Sequence, residues 1–306
     1  MGIKLVVAVT DSDWFTLLRN QPTPLNEVNF WAPSDKNFRA LQPGELFLFK
    51  LHAPVNKIVG GGIFAYAASL PLSLAWEAFG VANGAATFTE MRRRIVKYRR
   101  AGLDDRSDFP IGCRILTQPF FLDEYDWLPV PASWSDNIVS LKTFTTDNEE
   151  GLALWEAVTK RLAVTVPFAT EPGQRFGTPQ LVLPRLGQGA FRVVVTDDYQ
   201  RRCAITGERT LPALDAAHIR PYAEGGEHAP SNGILLRRDI HSLFDAGYVT
   251  VSPSLHFEVS SKIREEFENG RQYYALHGQP IAVPRTATHR PDAGALGWHN
   301  EHVYRG

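Results

Sequence analysis

The sequence predicts an α+β protein of two domains, a small barrel-like β domain followed by a smaller domain built from a hairpin and a helix. Three observations carry this expectation. At 306 residues the chain suits about two ordinary domains. Its first half is cut into short apolar runs by turn residues. Eight of its nine histidines, all but His52, lie from His218 onward. With 44% apolar and 21% charged residues, the composition is that of a globular protein and excludes wholesale disorder or a fibrous repeat.

The elements follow in order. Lys4–Thr10 reads as a first strand, because its apolar stretch is too short for a signal peptide and runs into TDSD with no small-residue cleavage site. Gln42-Pro43-Gly44 turns the chain into a strand over Leu46–Leu51, and Ile58–Phe64 is the next. Ile58 to Trp76 carries no charge for 19 residues, which raises the question of a membrane span. Gly60, Gly61, Gly62 and Pro71 interrupt it, so it reads as a buried strand followed by a helix over Leu72–Phe79 that stops at Gly80. A second helix is expected over Phe88–Arg100. Few other helices are expected before residue 145, and a small barrel is the natural container for such strands. The polar run at 145–150 marks a boundary and a helix cap, with a helix over Gly151–Val164. Glu171 to Gly189, with three Pro and four Gly, reads as a linker or ordered loop. The expected division is thus 1–145, a connecting helix and linker over 146–189, and a second domain over 190–306. Cys113 and Cys203 form no framework for disulfides or a four-cysteine zinc site, and fit a reducing cytoplasm.

Charge sorts unevenly. The net charge of -1 argues against an indiscriminate polycation. Met91–Arg100 nevertheless holds six basic residues and no acid. The run reads either as a solvated helix face or, through Arg92, Arg93, Arg94 and Lys97, as a surface for DNA phosphates, with Tyr98 available to stack. Residues 103–175 hold six basic and twelve acidic side chains, which nearly cancels it.

The informative stretch is Tyr199–Val251. A strand over Ala213–Ile219 ends near His218, a loop with Gly225 and Gly226 follows, then Asn232, an apolar run Ile234–Leu236 and a helix over Arg237–Phe244. His218, Asn232 and His241 are 14 and 9 positions apart, and a hairpin folded on a helix would bring them together. Phosphodiester hydrolysis needs a nucleophile, charge neutralisation and help for the departing 3′ oxygen. A neutral His can deprotonate water, worth about 10²–10⁴-fold in rate. A divalent cation on a second His and a carboxylate can bind the phosphate, and an Asn amide can pin the loop that orients the base. Asp245, four residues after His241, and Asp215, three before His218, are the two candidate carboxylates, with Asp245 favoured by a shared helix face. Arg220 and Arg237 offer DNA backbone contacts, Cys203 reads as a core residue, and His228 as a solvated loop residue.

The segments DAAHIRP, SNGILL and HSLFD, in that order, resemble the HNH nuclease family, whose core is the ββα-metal motif. The resemblance implies His218 as general base, Asn232 as the loop-fixing or metal-side Asn, and His241 as metal ligand. It also implies one divalent ion per site, Mg²⁺ or Mn²⁺, and products with 5′-phosphate and 3′-hydroxyl ends. Many such enzymes place a metal-binding Asp or His just before the base; Ala217 stands there, so the second ligand must come from Asp245 or Asp215.

In the first domain, NEVNFWAPSDKNFRALQPGELFLFKLHAPVNKIVGGGIF looks like the PUA superfamily, most nearly its EVE-type members. That resemblance implies a pocket for a base turned out of its helix, and in an HNH enzyme a sensor of modified cytosine. An aromatic pocket offsets the few kcal/mol that unstacking costs. Phe30 and Trp31 are the first candidates, with Ser34, Asp35 and Lys50 as polar partners. Strand alternation lets only one of the two rings face a ligand, and Trp31 is the favoured one. Together the resemblances imply a modification-dependent DNA restriction endonuclease acting on double-stranded DNA, with no membrane partner and a homodimer for double-strand cutting. The rival expectations are a nuclease whose first domain senses a phosphorothioate backbone, RNA or a small ligand, and a non-catalytic binding protein.

Overall fold

The computed structural model describes residues 2–99, 107–135, 137–165 and 185–306. Residues 171–184 of the expected linker, and Arg100 at the end of the expected second helix, lie outside them. The chain divides into two compact units, Met1–Pro184 and Arg185–Gly306. The fold class is α+β.

The first unit runs β1 (Lys4–Thr10), α1 (Ser12–Arg19), β2 (Glu27–Ala32), β3 (Leu46–Leu51), β4 (Lys57–Pro71), α2 (Leu72–Phe79), α3 (Phe88–Tyr98), β5 (Pro110–Phe121), β6 (Leu128–Pro129), β7 (Leu141–Thr145) and α4 (Glu149–Thr165). Seven strands pair in the order β2-β5-β4-β3-β1-β7, with β6 on β4. β1 and β3 run parallel, and the other pairs are antiparallel.

The central strands β1 and β3 are buried on both faces, as near-continuous apolar runs require. Val6, Ala8, Phe47 and Phe49 face one core, which α1 fills with Trp14, Phe15 and Leu18. Leu5, Val7, Leu46 and Leu48 face the other, which α4 covers with Leu154 and Val158. Helix α4 therefore belongs to the core of the first unit rather than to a connection beyond it. Helix α1 is a second departure from the sequence reading: its apolar face (14, 15 and 18) is one turn long, too short to stand out among strands.

The uncharged stretch after Ile58 is resolved by packing. A Cβ on Gly60 would sit 2.3 Å from the Phe120 carbonyl oxygen, and one on Gly61 2.6 Å from that of Phe47. The glycines let neighbouring strands close on β4. Pro71 then precedes α2, and Gly80 ends it at φ +46°. Among the described residues no helix is long and apolar enough to cross a membrane.

The second unit comprises α5 (Gln188–Asp198), the hairpin β8 (Leu214–His218) and β9 (Gly233–Arg237), α6 (Arg238–Asp245), the hairpin β10 (Val249–Val251) and β11 (Phe257–Val259), then α7 (Lys262–Phe267), α8 (Arg271–Tyr274) and α9 (Ala293–His302). One core joins α5, both hairpins, α6 and α9. Cys203 is buried within it. Gly233 is set by α5: a Cβ there would lie 2.5 Å from Val195 Cγ2 and 2.9 Å from the Phe191 ring. The C-terminal segment completes this core through Leu296 and through His299, whose ring stacks on Phe244 at 3.7 Å.

Candidate functional site

Hairpin β8–β9 presents the first polar group. Leu214 and Ala217 of β8 turn into the core, while Asp215 and His218 are half-buried. His218 ends the strand opposite Gly233, and its ring lies flat on Phe191 of α5, 3.9 Å between centroids and 11° between planes. Its Nε2 is 2.9 Å from Nδ1 of His228. His228 in turn stacks on Tyr222 at 4.8 Å and 5°. The four rings hold one another, and the two histidines share a single proton position between them. Burial, then the charges of His228 and His241, push the His218 pKa down to about 4, so its imidazole is neutral at pH 7 and keeps a lone pair. His228 is thus part of the site, not a solvated loop residue. Its only sequence signal was a place in the loop between His218 and Asn232.

Asn232 spends its carboxamide on the main chain. Its Oδ1 accepts from Arg220 N at 2.9 Å, and Nδ2 donates to the carbonyls of Arg220 and Glu227, both at 2.9 Å. It is 7% exposed. These contacts close the loop that carries His228, which fits the loop-fixing role.

Helix α6 places His241 between two carboxylates. Nδ1 is 3.4 Å from Asp215 Oδ2, and Nε2 is 3.3 Å from Asp245 Oδ2. The other oxygen of Asp215 is 3.6 Å from Arg192 Nη2 on α5, a partner with no sequence signal. Burial works against the charged imidazole, but the contact with Asp215 and the charge of Asp245 outweigh it and hold His241 above the ordinary histidine range. Burial also raises Asp215, yet the hydrogen bond from His241 and the charge of Arg192 bring it below the usual carboxylate value. Asp245 stays above that value through burial, only partly relieved by His241.

This donor set fits a hard divalent ion. Adjacent ligands about 2.1 Å from an octahedral centre stand about 3 Å apart, close to both His241–carboxylate spacings. No cluster of three or more His, Cys, Asp or Glu spaced for a metal occurs among the described residues. His241 and one of the two carboxylates would supply protein ligands, with water and phosphate at the other positions.

Of the arginines expected on DNA, Arg237 is engaged by Asp239 at 2.6 and 2.7 Å. Arg220 donates to the Glu224 carbonyl and lies 5.2 Å from the Trp298 ring. On α3, Arg92 binds the Ser107 carbonyl, and Arg94 bridges Glu90 and the Gly84 carbonyl. Arg93 and Lys97 are exposed.

The first unit holds a cavity of about 230 Å³. Residues of β2 (Phe30, Trp31, Ala32) and Leu141 of β7 line it together, although these strands end the pairing order on opposite sides. The sheet therefore wraps round toward closure, as a barrel does. Phe30, 8% exposed, is a core wall packed on Trp14, Phe47 and Phe49. Trp31 is half-buried, and its indole N–H donates to the Asn83 carbonyl at 3.0 Å. The titratable groups in the lining are Asp11, His52, Tyr98 and Arg114, with Thr10 and Ser140 beside them, drawn from segments the sequence does not connect. Ser34 and Lys50 are not in the lining; Lys50 is buried and donates to Asn56 Oδ1 at 2.6 Å. Asp35 lines a neighbouring hollow with Arg114.

Residues 203–252 match the family model described as HNH endonuclease. No curated protein sequence matches the chain. Among solved structures, the chain is similar to ASCH from Zymomonas mobilis, at 9% identity and a TM-score of 0.33 over 51% of this chain and 94% of that one. It is also similar to the modification-dependent TagI restriction endonuclease, at 13% identity and a TM-score of 0.31 over 97% of this chain and 81% of that one. The segment from Cys203 to Ser252, which carries His218, His228, Asn232 and His241, is an HNH endonuclease domain, and the chain is a nuclease by virtue of it.

Proposed function

We propose that the protein is a modification-dependent DNA restriction endonuclease. The first unit takes up a modified cytosine turned out of double-stranded DNA, and the second hydrolyses the phosphodiester backbone. The observation that carries the nuclease half is a neutral His218 beside a His241 flanked by two carboxylates. The aromatic cavity of the first unit supports the reader half.

His218 accepts the proton of the attacking water. For that its lone pair must be free, so the proton between the two rings sits on His218 Nε2 and is donated to His228 Nδ1, leaving His218 Nδ1 as the base. Phe191 stacks on His218 and Tyr222 on His228, which holds the two rings at 61° to one another, and Asn232 fixes the loop. His241 and a carboxylate would hold one divalent ion, Mg²⁺ or Mn²⁺, which when bound would supply charge neutralisation at the phosphate and at the leaving oxygen. Asp245 is the better ligand, because its side chain is 60% exposed and open to water and phosphate, whereas Asp215 already faces the Arg192 guanidinium. Asp215 then accepts the other ring N–H of His241 and sets its tautomer, as carboxylates behind metal-bound histidines do. Cleavage leaves 5′-phosphate and 3′-hydroxyl ends. One site cuts one strand, so double-strand cleavage uses a homodimer, acting in the cytoplasm. Arg93 and Lys97 are the α3 side chains best exposed for phosphates.

The test is cleavage of one plasmid prepared with cytosine, methylcytosine, hydroxymethylcytosine or backbone phosphorothioate, with chelation and metal re-addition. Selective cutting of a modified-cytosine plasmid, lost with chelator and restored by Mg²⁺ or Mn²⁺, is expected. Equal cutting of all four removes the modified-base reading, and preference for phosphorothioate assigns the first unit to the backbone. Metal-independent behaviour without turnover returns the protein to the binding class.

A further inference from the structure

We infer that Arg114 is a specificity-determining residue of the first unit's cavity, where it pairs with an oxygen acceptor carried by the ligand. The cavity accordingly selects a cytosine bearing an oxygenated 5-substituent, hydroxymethyl or carboxyl, over a methylated one. This rests on the reading of the first unit as a modified-base reader.

Arg114 lies mid-strand in β5, paired across to Phe30 of β2 and Ala67 of β4, so its backbone is fixed on both sides. Its guanidinium sits over the Phe38 ring, 5.0 Å to the centroid, and its buried Nε has no hydrogen-bond partner. No carboxylate pairs with it among the described residues. Burial lowers its pKa, offset only by the neighbouring Cys113 thiol and by no carboxylate. A half-buried cation without a counter-charge is costly and is retained where a partner arrives.

The other titratable groups of the cavity engage one another. Asp11 accepts from the Tyr98 hydroxyl at 2.9 and 3.0 Å and lies 3.3 Å from His52 Nε2. The acidic side of the cavity is therefore met from within, and the basic side is open. Besides the hydroxyls of Thr10 and Ser140, the rest of the lining is mostly aromatic or apolar, through Trp14, Phe30 and Trp31. At about 230 Å³, below the roughly 300 Å³ at which drug-sized pockets begin, it suits one ring and a short substituent. A methyl group offers Arg114 no acceptor. A hydroxyl or carboxylate on the same carbon does, and a buried donor discriminates strongly against an analogue that leaves it unpaired.

The full chain is tested without divalent metal, so that nothing is cut, by fluorescence anisotropy. The probes are duplexes carrying one cytosine, methylcytosine, hydroxymethylcytosine or carboxylcytosine. Wild type is expected to bind the two oxygenated duplexes about tenfold or more tighter than the methylated one. Arg114→Met is expected to level that preference, and Arg114→Lys to keep part of it. Wild type binding the methylated duplex as tightly as the oxygenated ones, and the unmodified duplex more weakly, overturns the role of Arg114 and leaves the modified-base reading standing. Equal binding of all four duplexes removes both. A preference that survives in Arg114→Met also overturns the assignment. Because the wild-type ranking alone is decisive, a misfolded variant does not protect the proposal.

Discussion

The nuclease site of the second unit and the cavity of the first both gather polar side chains from several elements, but they balance charge differently. In the second unit His241 lies between Asp215 and Asp245, Asp215 meets Arg192, and His218 meets His228. Every group has a neighbour before any ligand comes, and a divalent ion exchanges one set of partners for another. In the first unit Asp11 is engaged from within while half-buried Arg114 keeps a buried Nε without an acid. A site that performs chemistry on a generic backbone is preorganised and internally neutralised. A site that chooses among ligands keeps one group waiting for the right partner.

The largest expected effect breaks the two regions apart. His218→Ala should lower cleavage by about 10²–10⁴-fold while the ranking of modified duplexes in a binding assay stays as in wild type. Trp31→Ala should do the opposite, erasing the ranking while leaving intact the metal-dependent cutting of any substrate supplied at high concentration. Loss of both properties in either variant would mean that the regions do not divide the work.

A middle-sized effect sharpens the account of the second unit. Asp215→Asn should weaken Mn²⁺ binding by about 10–100-fold, read by titration of cleavage against metal, and Asp245→Asn should weaken it more. The reverse order would put the ion on the Nδ1 side of His241.

The smallest effect separates a chemical histidine from a structural one. The His299 pKa is pushed down to about 4 by burial, as that of His218 is, but both of its ring nitrogens are engaged, by Thr250 Oγ1 and the Phe244 carbonyl. The folded protein therefore favours the neutral ring. That stability is fully present above about pH 6.5 and is lost as pH falls toward 4, by about 2–3 kcal/mol at pH 4.5. Denaturant unfolding at pH 7.5 and 4.5 should show this loss in wild type and a smaller one in His299→Gln. An unchanged pH dependence in the variant would assign it elsewhere. A depressed histidine pKa does not by itself mark the site; what sets His218 apart is the company of His228, His241 and the carboxylates.

The same contrast explains what could be read from the sequence. β8, the Asn232 loop, β9 and α6 follow one another along the chain, so the spacing of His218, Asn232 and His241 already implied their meeting. Arg192 and Phe191 carry no local signal, because α5 reaches the hairpin only by packing against Gly233. In the first unit β1 and β3 are legible as short apolar runs bounded by turn residues, and α2 by the Pro71 and Gly80 stops. Helix α1 was not, because its apolar face is a single turn. Ser34 and Asp35 lie near Trp31 along the chain and Lys50 on the next strand, yet only strand pairing and packing decide which side chains share a cavity. Arg114 reaches it from a strand more than 80 residues away in sequence.

The sequence by itself determined the residue types and spacing of the nuclease motif, the α+β class and the strands that carry their own turn and stop signals, since all of these depend on short-range geometry. Tertiary structure alone decided that His228 joins His218, that His241 has a carboxylate on each ring nitrogen, and that Arg114 is half-buried without an acid. Those facts depend on which distant segments are pressed together, and that is settled by the burial of apolar surface across the whole unit rather than by any local pattern.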